Sequence, residues 1–160
     1  MSSRWLFVAV GILSIAVMSS LIIAQATDLR IGTWKLNLAK SKYITGTPPK
    51  SQTLKFASSA DGGFKFTVDT VPTNGEPTHT ETVAKIDGKE YPVTGDMNAD
   101  VRSYTKVDEH TLTLKQKKGD KVTTTGRIVI SADGKSRTVT TTGTNAQGQK
   151  IRATAVYDKQ

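Results

Sequence analysis

From residue 51 onward, apolar and polar residues alternate in short runs broken by glycine-bearing turns. Leu54 and Phe56 fall on one face, Thr53 and Lys55 on the other. Phe64, Phe66 and Val68 alternate with Lys65, Thr67 and Asp69, and Leu112 and Leu114 with Thr111, Thr113 and Lys115. Near the end, Ile151, Ala153, Ala155 and Tyr157 alternate with Arg152, Thr154 and Val156. A period of two marks a strand with one dry and one wet face. The breaks are Asp61-Gly62-Gly63, Asn74-Gly75, Asp87-Gly88, Gly119-Asp120, Asp133-Gly134 and Gln147-Gly148. Such pairs supply the positive φ of tight hairpin turns. Weaker breaks fall at Gly95-Asp96 and Asp108-Glu109-His110. The pattern predicts ten strands, near 32–38, 51–58, 63–71, 78–86, 89–94, 100–107, 110–118, 121–131, 136–143 and 149–158.

Every link but the first is short, so neighbouring strands pair antiparallel in an up-and-down meander. Closing that sheet into a barrel removes its two exposed edges. A two-sheet sandwich is the alternative, because alternation alone does not separate the two. The longer link, Ala39 to Lys50, contains Gly46 and Pro48-Pro49 and is expected to hold one helical turn and cross a barrel mouth. The expected fold class is therefore all-β.

Ahead of the barrel, residues 1–26 read as an export signal and predict a signal helix. Arg4 gives the only charge, Trp5 to Ile23 is uncharged and almost wholly apolar, and Ala24-Gln25-Ala26 is a small-x-small cleavage site. The alternative is an uncleaved anchor, since the run approaches the ~20 residues that span a bilayer. Either way residues 27–160, the barrel domain, are expected to be exported, into a periplasm or the medium.

Composition narrows the function. Without the signal, 40 of 134 residues are apolar, near 30%, and Thr is commonest at 24. Threonine suits a pleated surface more than a helix. The whole chain carries 22 Lys and Arg against 14 Asp and Glu, and no Cys. That excludes a disulfide scaffold, a thiolate metal site and a Cys nucleophile. No serine lies in a Gly-x-Ser-x-Gly turn, and there is no phosphate loop or dinucleotide fingerprint. The expectation is a non-enzyme without a cofactor or a metal.

Several side chains carry candidate chemistry. His79 and Glu81 share a face and could form a proton-transfer pair or half a metal site, but their strand reads as solvent-exposed. Arg102 with Tyr104, and Arg127 with Thr125, would bind an anion if they pointed inward. Lys115, Lys117, Lys118 and Lys121 cluster around one hairpin and could meet anionic lipid or polymer. No aromatics are interleaved there, which argues against nucleic acid. Small inward residues such as Ala153, Ala155 and Gly126 would leave a ten-strand barrel underfilled.

Gly32-Thr33-Trp34-Lys35-Leu36 resembles the Gly-x-Trp opening of lipocalins, and more closely the opening of fatty-acid-binding proteins. Val156-Tyr157-Asp158-Lys159 and Asp133-Gly134-Lys135 fit the latter. The chain from residue 27 is also similar to exported bacterial lipocalin-like proteins, through Gly32 to Asn37, Asp87 to Gly95 and Val156 to Gln160. The resemblance implies a calycin-type barrel whose first and last strands lie side by side, with Gly32 and Trp34 closing one end. The cavity expected from the residues themselves is walled by Phe56, Phe64, Phe66, Tyr104, Leu112, Leu114, Arg127 and Tyr157. The family's two-helix lid does not fit the first link. In the family's Arg-x-Tyr clamp for a ligand carboxylate, Tyr157 is present but Ala155 holds the Arg position. A bound carboxylate would need Arg127, Arg137 or Arg152 turned inward. The expected function is a monomeric binding protein for a small apolar or amphipathic molecule. The alternative is an envelope protein with a filled barrel whose basic surface contacts anionic lipid or polymer.

Overall fold

A computed structural model describes residues 28–160. The signal segment expected over residues 1–26 lies outside the described residues. Eleven strands form: β1 (Gly32–Leu36), β2 (Lys42–Thr45), β3 (Ser51–Ser58), β4 (Phe64–Val71), β5 (Thr78–Ala84), β6 (Tyr91–Thr94), β7 (Val101–Lys106), β8 (Thr111–Lys118), β9 (Lys121–Ile130), β10 (Ser136–Thr144) and β11 (Lys150–Lys159). From β3 to β11 each strand pairs antiparallel with the next. β1 pairs with both β3 and β11, which closes a ring of ten. The sheet is therefore a closed antiparallel barrel of ten strands, and the two-sheet alternative falls.

The eleventh strand corrects the expected count. Residues 42–45 fall within the link expected from Ala39 to Lys50, yet β2 pairs with the N-terminal half of β11, Tyr43 opposite Ala153. β1 and β2 form one interrupted edge along β11, broken by a 3-10 turn over Leu38–Lys40. Asn37 caps that turn and also donates to Asp158 on β11 at 2.6 Å. Four residues with a single tyrosine give too short an alternation to register as a strand.

Chain direction separates the two ends of the barrel. The turns around residues 59–63, 85–90, 107–110 and 131–135 lie at one end, with Trp34. Those at 72–77, 95–100, 119–120 and 145–149, with the 46–50 link, ring the other end, the mouth. Gly95 (φ +75°) shows why a turn there needs glycine: a Cβ would collide with the carbonyl of His79.

The first end is shut. Trp34 is completely buried, and its Nε1 donates to the Arg30 carbonyl at 3.0 Å. Lys159, opposite it on β11, sits 5.0 Å from the ring centroid. A cation over an indole face is attracted by the ring quadrupole, so the two chain ends are joined by packing as well as by the ladder. Beside them Phe56 stacks on Phe64 at 4.4 Å, and Tyr104 meets Phe64 edge-on at 5.2 Å.

Candidate functional site

Above this aromatic floor an inner cavity of about 200 Å³ remains, walled by Leu54, Phe66, Val68, Leu114, Ile128 and Val139 among apolar residues. The polar part of its wall is Gln52, Arg102, Tyr104, Gln116, Arg137, Thr141 and Tyr157. A larger space of about 620 Å³ fills the mouth, lined by Tyr43, Pro49, Pro72, Asn98 and Ile151 among others. Gln52, Val139, Thr141 and Tyr157 line both. Where the spaces adjoin, the Tyr157 hydroxyl donates to Gln52 Oε1 at 2.5 Å, and Gln52 Nε2 donates to Thr70 at 2.8 Å. Burial pushes the Tyr157 hydroxyl well above the usual tyrosine range, so it stays a neutral donor.

Two arginines occupy the interior, and each is held there by strand parity. Arg102 and Tyr104 alternate with Val101 and Thr105 on β7, and they take the inner face. Arg102 is answered by Asp96, which accepts from Nη2 at 2.6 Å. The Gln116 side chain, with its amide oxygen toward Arg102, accepts from Nε at 2.6 Å and Nη2 at 3.1 Å. Arg137 lies on β10, opposite Tyr157 on β11 and Ile130 on β9, and is 2% exposed. Its guanidinium carbon is 5.1 Å from the Phe66 centroid and 6.0 Å from that of Phe56. Burial pulls its pKa below the ordinary arginine value.

The expected wall residues divide among four places. Phe66, Tyr104, Leu114 and Tyr157 line the inner cavity. Phe56 and Phe64 line a separate space of about 330 Å³ at the closed end, with Asp28, Arg30 and Ile86. Leu112 is buried in the core but lines neither of these spaces. Arg127 is a correction: it is exposed on the outer face, because Ile128 and Ile130 take the inner parity of β9. Arg137 takes up the interior instead. Sequence reasoning passed over Gln52 and Gln116. Their signal is parity, since Gln52 shares a face with Leu54 and Phe56, and Gln116 with Leu112 and Leu114.

The exposed candidates stay outside. His79 Nδ1 lies 2.5 Å from Asp69 Oδ1, and Lys65 pairs with Glu81 at 2.8 Å, all on the outer face of β4 and β5. Lys117 and Lys118 reach Glu90 and Asp100. Among the described residues no cluster of three His, Cys, Asp or Glu side chains is arranged to hold a metal, and no helix is long and apolar enough to cross a membrane.

No family model and no curated protein matches the chain. Among solved structures it is similar to a redesigned β-barrel (13% identity, 82% of this chain and 92% of that one, TM-score 0.48). It is also similar to a redesigned β-barrel bound to DFHBI (13%, 82% and 95%, TM-score 0.46). A third is zebrafish ileal bile acid-binding protein complexed with cholic acid (15%, 82% and 99%, TM-score 0.48).

Proposed function

We propose that the chain is an exported, non-enzymatic binding protein that takes a small apolar or amphipathic molecule into its barrel. The observation that carries this is the inner cavity of about 200 Å³ adjoining a mouth of about 620 Å³. Together they reach the ~300–1,000 Å³ typical of ligand sites. The mixed lining suits a molecule with an apolar body and one polar group. Each methylene that leaves water for Leu54, Phe66, Val68 or Ile128 gains roughly 0.8 kcal/mol. Export rests on the charge, apolar run and Ala24-Gln25-Ala26 site of the first 26 residues.

Displacement of an environment-sensitive apolar dye tests the binding reading. Dye uptake is expected to be saturable, and Leu114→Trp, which fills the inner cavity, to abolish it without unfolding the barrel. Dye that binds the filled variant equally well sinks the reading. Native mass spectrometry of protein recovered from its export compartment is expected to show a retained small molecule.

One observation favours a second reading. Lys50, Lys121 and Lys150 are exposed at the mouth end, positive charge that suits an anionic lipid or polymer surface. Salt-sensitive binding to anionic vesicles, with no dye uptake, would select that reading over the first.

A further inference from the structure

We infer that the outer wall of the barrel over β8–β11 and β2 is a docking surface for a linear anionic polysaccharide. The inference goes beyond the binding reading and is independent of what the cavity holds. It rests on a pattern that the strand register produces twice. Arg127 on β9, Thr140 on β10, Thr154 on β11 and Lys42 on β2 stand opposite one another in one row. Two residues nearer the mouth, Lys115 on β8, Thr125 on β9, Thr142 on β10 and Arg152 on β11 form a second row. Each row reads cation, threonine, threonine, cation, and the second is displaced from the first by one strand. The two cations of a row are three strands apart, about 14 Å at the usual strand spacing. Between them the threonine hydroxyls sit side by side, 3.5 Å apart for Thr140 and Thr154 and 3.3 Å for Thr125 and Thr142. All of these side chains are exposed except that of Thr154, which is half-buried.

The charge of the two rows is unanswered. None of Lys42, Lys115, Arg127 and Arg152 takes part in the ion pairs among the described residues. Asp108, in a turn at the closed end, feels the Arg127 charge without pairing with it. Elsewhere on the outer wall lysines are met by acids: Lys65 by Glu81, Lys117 by Glu90 and Lys118 by Asp100. A one-sign patch on a chain of net charge +8 adds self-repulsion in the folded state and draws in anions. A regular array of such charges fits a partner whose own charges recur along a chain.

The side chains select among polyanions. Single-stranded nucleic acid is held by aromatic stacking as well as by charge. The aromatics of these five strands, Tyr43 and Tyr157, line the mouth space instead. Docking on a bilayer buries an apolar face among the lipid headgroups, and the two rows hold no apolar side chain. What they offer between the cations is hydroxyl groups, which both donate and accept. Those match the hydroxyls of a sugar chain, while Lys and Arg match its carboxylates or sulfates.

Fluorescence anisotropy of labelled alginate (a polyuronate) and labelled dextran sulfate, titrated with the full chain at several salt concentrations, tests this. Saturable binding of either is expected, with none to neutral dextran. The slope of log affinity against log salt follows the number of cations engaged, so Lys115→Gln with Arg152→Gln is expected to lower it by about half. Lys55→Gln with Lys85→Gln removes equal charge from β3 and the 85–90 turn and is expected to leave it unchanged. Equal effects of the two pairs would mean that net charge alone attracts the polymer and would overturn the surface. Thr125→Val with Thr142→Val keeps the β-branched shape and is expected to weaken polysaccharide binding at least about threefold, as lost neutral hydrogen bonds imply. Unchanged affinity of that variant overturns the sugar chain as occupant. Tighter binding of an oligothymidylate or of phosphatidylglycerol vesicles than of both polysaccharides also overturns it. No binding of either polysaccharide overturns the inference outright. Dye uptake into the barrel is read separately, so failure here leaves the binding reading standing.

Discussion

At Arg102 the charge is met by Asp96, and the pair is nearly out of water, with side chains 8% and 13% exposed. Removing one partner of such a pair strands the other. Asp96→Ala is therefore expected to cost about 3–5 kcal/mol. Arg102→Met combined with Asp96→Ala is expected to recover most of that loss. Urea unfolding of the single and double variants checks it, and equal losses in both would mean that the packing of the 95–100 link, not the charge, is what matters. Trp34→Ala leaves a large void in the closed end and is expected to cost about 3–5 kcal/mol by the same measurement. The role of Trp34 was legible because Gly32-Thr33-Trp34 is a local motif. Arg137 was not, because only the pairing of β10 with β9 and β11 shows that it lacks an anion. Strand alternation says which residues share a face. It does not say which face is inner when both carry apolar residues, as Val101 and Tyr104 do on β7.

Within the ring of ten strands, β6 is held least. It has four residues, includes Pro92, and pairs at only two positions with β5 and two with β7. Proline removes a ladder donor, and the Pro92 carbonyl is partly satisfied by the Thr82 hydroxyl at 2.6 Å instead. By contrast β10 pairs with β11 at nine positions from Ser136 to Thr144. Amides of β5–β7 are expected to exchange with deuterium through local opening, well before those of β8–β11, which should exchange only with global unfolding. Uniform protection around the ring would show that the β6 ladder is not a weak seam. The strand limits were readable to within a residue or two for β3 to β11, because each is bounded by a turn pair and has at least one face of clear parity. The β1–β2 edge was not, since β2 shows itself only through its pairing with β11, far away in sequence.

For the whole molecule, the placement of acidic groups sets the pH response. Ser59 and the Gly63 amide hold the Asp61 carboxyl below its usual range, and the Lys89 amide and Tyr91 do so for Asp87. Lys118 with the Gly119 amide, the His110 amide with Thr111, and Ser131 with the Lys135 amide act likewise on Asp100, Asp108 and Asp133. Asn37 and Lys40 do the same for Asp158, across the seam that closes the ring. Each group binds its proton less readily in the folded chain than in the unfolded one. Their stabilisation is thus fully present above the ordinary aspartate value of ~3.9 and disappears as pH falls through the lower folded values. Loss of these charges also raises a net charge that is already +8 at pH 7, which adds self-repulsion. The urea midpoint is expected to change little between about pH 5 and 8 and to drop steeply below about pH 4. Asp158→Asn keeps an acceptor for Lys40 and Asn37 but cannot titrate, so it should start lower at neutral pH and fall less on acidification. Because Asp158 ties β11 to the turn that follows β1, amide exchange at low pH should rise first along that seam. Parallel curves for Asp158→Asn and the parent chain would mean that the seam is held by the Trp34 packing and the ladder alone.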